Sequence, residues 1–348
     1  MKKILVISNT NFSIEKFRYH YLSKSKKYYF KIYTPSEKRF KNYKRKNIKN
    51  KNFETNNILS AFKNVRNILR KENPHTVIVY STYYIFILSL LKIMFNYNLV
   101  SVIAGRGSLF NENSKFKLFF LKKIFYLIFN LSEKLIFINP GDLKYFSSGN
   151  NLKEKSYLMP TEGTVKIKYI QRKNKKKNFI FFARLIIEKG IHDYIKLSKE
   201  VLKNYPNCNF YIAGPTSKKI VGQSEVINIP SVLKKNKKYV KYLGYVKDYK
   251  LIFPKMDCLI APSKLEGAGT SVMEAMQSGL FIIAYNNSGH NYVLKNINNI
   301  ICKNNNYKNL FKAVEKYLTY DEKKLNLIKK NSYIKVIKNF ESKIISKE

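Results

Sequence analysis

The chain has 348 residues, which is enough for two domains that each bury a hydrophobic core. Its formal charge of +44, from 66 Lys and Arg against 22 Asp and Glu, argues against an acidic or neutral surface. Codon bias toward lysine accounts for such an excess without any function, whereas the functional interpretation is attraction to anionic lipid or nucleic acid. The three cysteines are widely spaced and odd in number, which argues against a disulfide framework and fits a reducing compartment. No apolar stretch reaches the length of a membrane span, and the N-terminal run is too short for a signal peptide.

The first half of the sequence alternates short apolar runs with longer amphipathic stretches. The apolar runs have the length of buried strands and cover residues 4–8, 29–33, 76–80, 99–104 and 135–139. This alternation predicts a parallel sheet with helices on both faces, which we assign to a first domain over residues 1–165.

One segment of this domain, residues 115–131, is rich in both aromatic and basic residues. At helical pitch Lys115, Lys122 and Lys123 fall broadly on one side, so the segment is a candidate for contact with a membrane surface. The alternative is an internal helix of the first domain. A helix that buries one face and leaves its basic rim to lipid phosphates would satisfy both interpretations.

The second half begins with a polar, basic and aperiodic segment, residues 166–177, which we interpret as the interdomain linker. Strand-length apolar runs then resume at residues 179–183, 209–213, 240–243, 258–261 and 281–284. They predict a second doubly wound domain over residues 178–335, followed by a basic C-terminal helix over residues 336–348 that packs back on the first domain. Two such domains should form a cleft between their sheet edges, where ligands bind.

Two glutamates of the second domain, Glu266 and Glu274, lie eight positions apart in a segment that follows the order strand, glycine-bearing loop, short helix, strand. Such a turn places a helix N-terminus and free backbone N–H groups at the C-terminal edge of a parallel sheet, where phosphates bind. The two carboxylates add acceptors for hydroxyl groups. A phosphate site beside hydroxyl acceptors suits a nucleotide sugar.

A second set of candidate residues lies where other strands of this domain end. Arg184 and Lys189 occupy the loop before Gly190, and two cations at a strand end can neutralise a diphosphate. In so basic a chain such residues are often merely solvated, but their place in the same domain as the glutamates favours a functional role. Gly214 and Gly244 end two further strands, where a ligand approaching the backbone needs room.

Together these segments resemble the family 4 retaining glycosyltransferases, whose architecture is GT-B. The resemblance rests on Ala183-Arg-Leu…Glu-Lys-Gly190, Ala213-Gly214, Leu243-Gly244 and Pro262-Ser…Glu266-Gly…Glu274-Ala…Gly279. Residues 8–18 resemble the opening loop of the family, and residues 105–107 and 138–140 resemble markers of members that act on polyprenyl-linked acceptors. The implied fold class is α/β, with two doubly wound Rossmann-like domains facing across a cleft.

The resemblance also implies a role for each candidate residue. Arg184 and Lys189 would hold the diphosphate and stabilise the leaving group, while Glu274 would accept hydrogen bonds from the ribose hydroxyls. Glu266 would face the donor sugar near the reacting carbon. The remaining donor-binding residues would be Ala268, Gly269, Thr270, Gly214 and Gly244. The weaker acceptor-side candidates are Asn9, Phe12, Ser13, Arg18 and Arg106.

The implied activity is retaining transfer of a sugar, in the manner of a hexosyltransferase, from a nucleoside-diphosphate sugar that is typically a UDP-sugar. The acceptor would be a lipid-linked or other glycan in the assembly of a surface polysaccharide of the O-antigen or capsule type. No cofactor and no metal are expected, because the aspartates are isolated and no His/Cys cluster exists. The expected location is the cytoplasm, with peripheral contact at the inner face of the cytoplasmic membrane.

One departure from the family pattern and two rival functions qualify this interpretation. Tyr292 stands where many members carry a glutamate, and the neighbouring His290 is a candidate ligand contact. A nucleotide-sugar epimerase on a related scaffold would need acid–base groups at the sugar, and the short histidine inventory favours transfer. A nucleic-acid-binding protein is motivated by charge alone, but the basic residues are scattered and no recognition motif appears, so no nucleic-acid partner is expected.

Overall fold

The computed structural model describes residues 2–36, 46–105, 114–148, 151–159, 177–215 and 229–340, together with Thr164 and Tyr169. The candidate residue Arg106, most of the predicted linker and residues 341–348 lie outside these ranges. The described chain divides into two compact units, one formed by residues up to 162 and the other by residues 163 to 344.

The first unit is built on a parallel sheet. Its strands are β1 (Lys2–Ser8), β2 (Tyr28–Pro35), β3 (Ile48–Phe53), β4 (Thr76–Tyr80), β5 (Asn98–Ile103), β6 (Lys134–Phe137) and β7 (Ser156–Leu158). They lie in the spatial order β3-β2-β1-β4-β5-β6-β7, and every neighbouring pair is parallel. The sequence analysis missed both edge strands, β3 and β7. Strand β3 alternates buried positions with exposed lysine and asparagine, so it lacks the continuous apolar run of a central strand.

Four of the six described helices of the first unit follow a residue whose side chain caps a free N–H group. The six are α1 (Asn11–Ser13), α2 (Tyr19–Leu22), α3 (Ile58–Glu72), α4 (Thr82–Leu91), α5 (Lys115–Asn130) and α6 (Pro140–Ser147), with a π-helical turn at Ile14–Arg18 and a 3₁₀ turn at Asn151–Lys155. Asn57 caps α3 in a reciprocal capping box with Ser60, and Asn139 caps α6. The buried faces of α3 to α6 form one core with the sheet.

A buried carboxylate fastens this core to the sheet. Glu72, at the end of α3, accepts hydrogen bonds from the ammonium groups of Lys3 and Lys31 at 2.7 and 2.5 Å and from the Tyr33 hydroxyl at 2.7 Å. Burial alone would raise the pKa of Glu72, but these hydrogen bonds outweigh it and lower the pKa to about 2. The carboxylate therefore stays ionised and ties α3 to β1 and β2.

The second unit repeats the same architecture. Its strands are β8 (Lys177–Phe182), β9 (Cys208–Ala213), β10 (Lys241–Tyr242), β11 (Cys258–Ala261), β12 (Phe281–Tyr285) and β13 (Ile300–Cys302). Their order is β10-β9-β8-β11-β12-β13, again with parallel neighbours. Its helices are α7 (Ile191–Asn204), α8 (Ile229–Asn236), α9 (Thr270–Gln277), α10 (Ser288–Leu294), α11 (Tyr307–Leu318) and α12 (Glu322–Asn339), with 3₁₀ turns at Ile187–Lys189, Tyr249–Leu251 and Phe253–Lys255.

Alternate residues of the second sheet enter two different cores. Cys258 and Ile260 belong to one core and Leu259 to the other, which is the pattern of a strand covered on both faces. Helix α12 contributes Leu325 to the first core and Val336 to the second, and it runs through the predicted boundary at residue 335.

The strand order decides where this unit can bind a ligand. Because β8 lies between β9 and β11, the loops that follow these three strands leave the same edge of the sheet. That edge is where ligands bind in parallel α/β folds. None of the described helices has the length and apolar character needed to span a membrane.

Candidate active site

The loops after β8 and β11 are in direct contact. Gly190 has a φ of 77°, and a Cβ at this position would lie 2.1 Å from the carbonyl oxygen of Pro262. The backbone N–H of Lys264 donates to the carbonyl of Glu188 at 3.2 Å. This close approach, which requires a glycine, holds the cationic loop against the loop that carries the first glutamate.

The contact brings two of the predicted catalytic residues together as an ion pair. Nζ of Lys189 lies 2.5 Å from Oε1 of Glu266, and both side chains are only 17% exposed. Burial would raise the pKa of Glu266, but the charge of Lys189 outweighs it, and the net pKa lies below the usual value. At neutral pH the site therefore contains a carboxylate held beside an ammonium group.

The start of α9 provides an anion site beside this pair. Gly269 occupies the N-cap with a φ of 57°, and no side chain caps the helix. The N–H groups of Val272 and Met273 bond back to the Gly269 carbonyl, so the earlier N–H groups face away from the helix. The predicted donor-binding residues Ala268, Gly269 and Thr270 thus form a helix N-terminus suited to phosphate oxygens.

Glu274 lies on the same helix, four residues after Thr270 and therefore on the same face. Glu274 is buried, with 4% of its surface exposed. Burial, and then the charge of Glu274, raise the pKa of Tyr249. The second glutamate is therefore a buried residue on the helix that begins at the anion site.

The remaining donor-side residues lie at neighbouring strand ends. The N–H of Gly214 donates to the carbonyl of Gly244 at 2.9 Å, and the Tyr242 hydroxyl donates to the carbonyl of Gly214 at 2.9 Å. Arg184 is exposed, and its side chain makes no hydrogen bond or ion pair with any residue the structure describes. The structure thus joins Lys189 to Glu266 and Gly214 to Gly244, while Arg184 stays open to a ligand.

Helix α10 supports the glutamate loop in a way that the sequence analysis missed. Asn287 caps α10 and donates from Nδ2 to the carbonyl of Ser263 at 2.8 Å. A Cβ on Gly289 would lie 2.7 Å from the carbonyl oxygens of Glu266 and Gly267. The Asn-Ser-Gly sequence before His290 is the only local signal of this support, since asparagine is typical of an N-cap.

His290 is buried behind the same loop. Its Nδ1 lies 2.9 Å from both the carbonyl oxygen of Tyr285 and the side-chain amide Nδ2 of Asn287. Burial lowers the pKa of His290, and the ring is therefore neutral at pH 7. Tyr292, at the position where many members carry glutamate, instead packs its ring 5.7 Å from that of Phe340.

The acceptor-side candidates are more scattered. Asn9 and Phe12 are exposed beyond the end of β1. The Ser13 hydroxyl donates to the carbonyl of Thr10 at 2.9 Å, and Arg18 is buried with its guanidinium 4.0 Å from the ring centre of Tyr80. Their acceptor role stays a prediction, as does that of Arg106. Within the described ranges no group of three or more His, Cys, Asp or Glu residues could hold a metal ion.

Gly190→Ala is expected to destabilise the protein more than Gly244→Ala. The two glycines have nearly equal φ values of 77° and 74°, but nothing lies within 4 Å of a Cβ at Gly244. The strain of a left-handed alanine is therefore the same at both positions. The clash with Pro262 should lower the free energy of unfolding of Gly190→Ala by about 1–3 kcal/mol more than that of Gly244→Ala. Urea unfolding measures the difference. Equal losses would mean that the two loops do not touch.

The two doubly wound units, with a cationic loop and a helix N-terminus at one sheet edge, define the GT-B fold. The same fold occurs in the Anabaena protein Alr3699/HepE, whose crystal structure contains UDP and glucose. The two chains are 14% identical, with a TM-score of 0.77 over 100% of this chain and 98% of that chain. At so low an identity the structural match shows the fold alone. This match confirms the predicted fold class.

The second half of the chain is similar to a known family. Residues 165–333 match the family model described as glycosyl transferases group 1. The resemblance predicted from the sequence is confirmed over that region.

Two curated proteins are similar in sequence to part of this chain. Alpha-monoglucosyldiacylglycerol synthase of Acholeplasma laidlawii is 28% identical over 226 residues, which are 62% of this chain and 54% of the relative. The N,N'-diacetylbacillosaminyl-diphospho-undecaprenol alpha-1,3-N-acetylgalactosaminyltransferase of Campylobacter jejuni is 26% identical over 249 residues, which are 66% of this chain and 63% of that enzyme. This chain thus spans between about half and two thirds of their lengths.

Proposed function

We propose that this protein is a retaining, metal-independent glycosyltransferase that uses a nucleoside-diphosphate sugar. The observation that carries the proposal is the Lys189–Glu266 pair beside the uncapped start of α9. A cation and a helix N-terminus suit a diphosphate, and the neighbouring carboxylate suits a sugar. The presence of UDP and glucose in the HepE crystal supports a UDP-sugar.

Sugar transfer develops opposite charges at the two ends of the bond that breaks, and both charges must be stabilised. The bond between the anomeric carbon and the diphosphate oxygen breaks, and its electron pair leaves with the diphosphate. An acceptor hydroxyl attacks from the same face and passes its proton to the departing phosphate oxygen. Arg184, Lys189 and the N-terminus of α9 stabilise the developing negative charge, and ionised Glu266 faces the positive charge on the ring.

The proposed acceptor is a glycan or a sugar attached to a lipid. The names of both relatives include a lipid, which is diacylglycerol in one and undecaprenol in the other. The corresponding role is assembly of a surface polysaccharide of the O-antigen or capsule type. The protein would work at the inner face of the cytoplasmic membrane as a peripheral protein.

A panel of nucleotide sugars read by thermal shift tests the donor assignment. A donor at a hundred times its dissociation constant adds about 2.7 kcal/mol of stability, and we expect a UDP-sugar to give the largest shift. Arg184→Ala should weaken that shift, whereas Arg70→Ala, which removes an exposed arginine of the first unit, should leave it unchanged. An unchanged shift in Arg184→Ala would contradict the assignment of the diphosphate site.

Turnover assays with the best donor separate transfer from the rival functions. We expect nucleotide release that depends on a lipid-linked acceptor and persists in EDTA. The glycosylated product should have the anomeric configuration of the donor. Isomerisation of the donor without an acceptor would identify an epimerase instead. Tight, structure-dependent binding of nucleic acid at physiological salt would support the third candidate.

A further inference from the structure

Helix α5 has two apolar faces, and the fold uses only one of them. Phe125, Ile128 and Phe129 are buried in the core of the first unit, where the Phe129 ring lies 5.2 Å from that of Phe146. The opposite side is exposed and equally apolar. This outer face of α5 consists of Phe116, Phe119, Phe120, Ile124, Leu127 and Leu131. The buried face fixes the rotation of the helix, so the outer face is held toward solvent.

The outer face forms a continuous row. Phe116, Phe120, Ile124, Leu127 and Leu131 follow one another at intervals of three or four residues, which places them along one side of a helix. The Phe116 and Phe120 rings lie 4.7 Å apart, although Phe116 is 71% exposed. Isolated exposed apolar side chains are common on protein surfaces, but a continuous row of this size marks an interaction surface.

The neighbouring helix extends this surface. Phe86, Leu90, Ile93 and Met94 form a second exposed apolar row along α4 and the residues that follow it. The Ser89 hydroxyl donates to the carbonyl of Ile128 at 3.3 Å, and the ammonium of Lys92 donates to the carbonyl of Leu131 at 2.8 Å. The two helices therefore lie side by side at their C-terminal ends, and each presents an apolar row.

The charged residues within α5 are all positive, and α4 carries no charge. Just beyond the two helices, the acidic Glu133 is paired with Lys92. Neither α4 nor α5 contains Asp or Glu. At the 100° turn of an α-helix, Lys117 and Lys123 lie about 60° to either side of the row. Nζ of Lys123 lies over the ring of Phe119, 4.6 Å from its centre, so a cation–π contact holds this charge beside the apolar row.

We propose that the outer face of α5, together with the row on α4, docks on an anionic lipid bilayer. The apolar side chains enter the acyl boundary, and the flanking lysines contact the lipid phosphates. A protein partner would call for polar groups that give directional hydrogen bonds at the rim, whereas the charged residues within the two described helices are lysines only. The inference rests on the proposed function for its purpose, since a lipid-linked acceptor lies in the same bilayer, but its test measures binding and not turnover.

A single introduced tryptophan tests insertion directly, because the chain contains no Trp. Leu127→Trp should show a blue-shifted emission, quenched by brominated acyl chains, when vesicles of equal parts phosphatidylglycerol and phosphatidylcholine are added. Leu251→Trp is the matched control, because Leu251 and Leu127 are 70% and 66% exposed, and it should show no shift. Unchanged emission of Leu127→Trp on these vesicles would overturn the proposal.

Vesicle flotation measures the contribution of each component of the surface. The Phe116→Ser/Leu127→Ser double variant should lose about 10-fold or more in affinity, whereas Leu251→Ser/Leu327→Ser should retain it. Lys117→Gln and Lys123→Gln should each weaken binding about 5-fold and reduce the preference over pure phosphatidylcholine. Far-UV circular dichroism without lipid checks that each variant folds. A lipid-independent dimer that the double serine variant abolishes would instead identify this face as a self-association surface and overturn the proposal.

Because binding and turnover are measured separately, the two proposals can fail separately. If vesicles bind but no donor turns over, the proposed function fails and the docking surface stands. If transfer to a detergent-solubilised acceptor occurs while vesicles do not bind, the docking surface fails and the proposed function stands.

Discussion

Replacing Lys189 with methionine is expected to lower kcat by about 10²- to 10³-fold, the loss typical of removing one group that stabilises transition-state charge. In the proposed mechanism the ammonium that contacts Glu266 at 2.5 Å also neutralises the departing diphosphate. Methionine keeps most of the length of the lysine side chain but carries no charge. Steady-state kinetics with the donor identified by thermal shift measure the effect, and Lys264→Met, which removes an exposed lysine from the adjacent loop, is the control.

A double-mutant cycle separates the chemical role of Lys189 from its structural role. Lys189→Met leaves the Glu266 carboxylate without its cation, which should lower the free energy of unfolding. Adding Glu266→Gln removes the unpaired charge, and we expect a coupling of about 0.5–3 kcal/mol in stability. Turnover should not recover in the double variant, because the diphosphate still lacks its cation. Recovery of turnover together with stability would show that the pair only holds the two loops together.

The sheet edge shared by the candidate donor-side loops could be predicted from the sequence, whereas the roles of their residues stay predictions. Arg184, Lys189, Glu266 and Glu274 were chosen because their loops follow strands, and parallel strands that are neighbours in a sheet end at one edge. The order of β8, β9 and β11 in the structure meets that condition. Local sequence therefore carries this part of the fold, since each loop is identified by its own strand, glycine and charged residue.

The contacts that join those loops could not be predicted in the same way. Lys189 and Glu266 are separated by 77 positions, and their pairing depends on the approach of Gly190 to Pro262. The support from Asn287 likewise depends on where α10 begins in space. The edge strand β3 was missed because it has no continuous apolar run: Lys49 and Asn52 are exposed, and the buried Asn50 is polar. Helix α5 is apolar on both faces, so its sequence alone could not decide which face is buried.

Glu274→Gln is expected to weaken UDP binding by about 10²-fold, because a carboxylate that accepts two ribose hydroxyls contributes about 1.5–3 kcal/mol per hydrogen bond. Glu274 is buried, with 4% of its surface exposed. Glutamine has the same shape as glutamate, so the substitution removes the charge without leaving a cavity. Isothermal titration with UDP measures the loss. Glu200→Gln, which makes the same change on the surface of α7, should bind UDP as the unaltered protein does.

The nucleotide itself supplies the second arm of this experiment. UDP and 2′-deoxy-UDP differ by one ribose hydroxyl, and the unaltered protein should bind the deoxy form about 10-fold more weakly or worse. In Glu274→Gln that difference should shrink, because the group that accepts the hydroxyl has lost its charge. If both proteins discriminate equally between the two nucleotides, the ribose is held elsewhere.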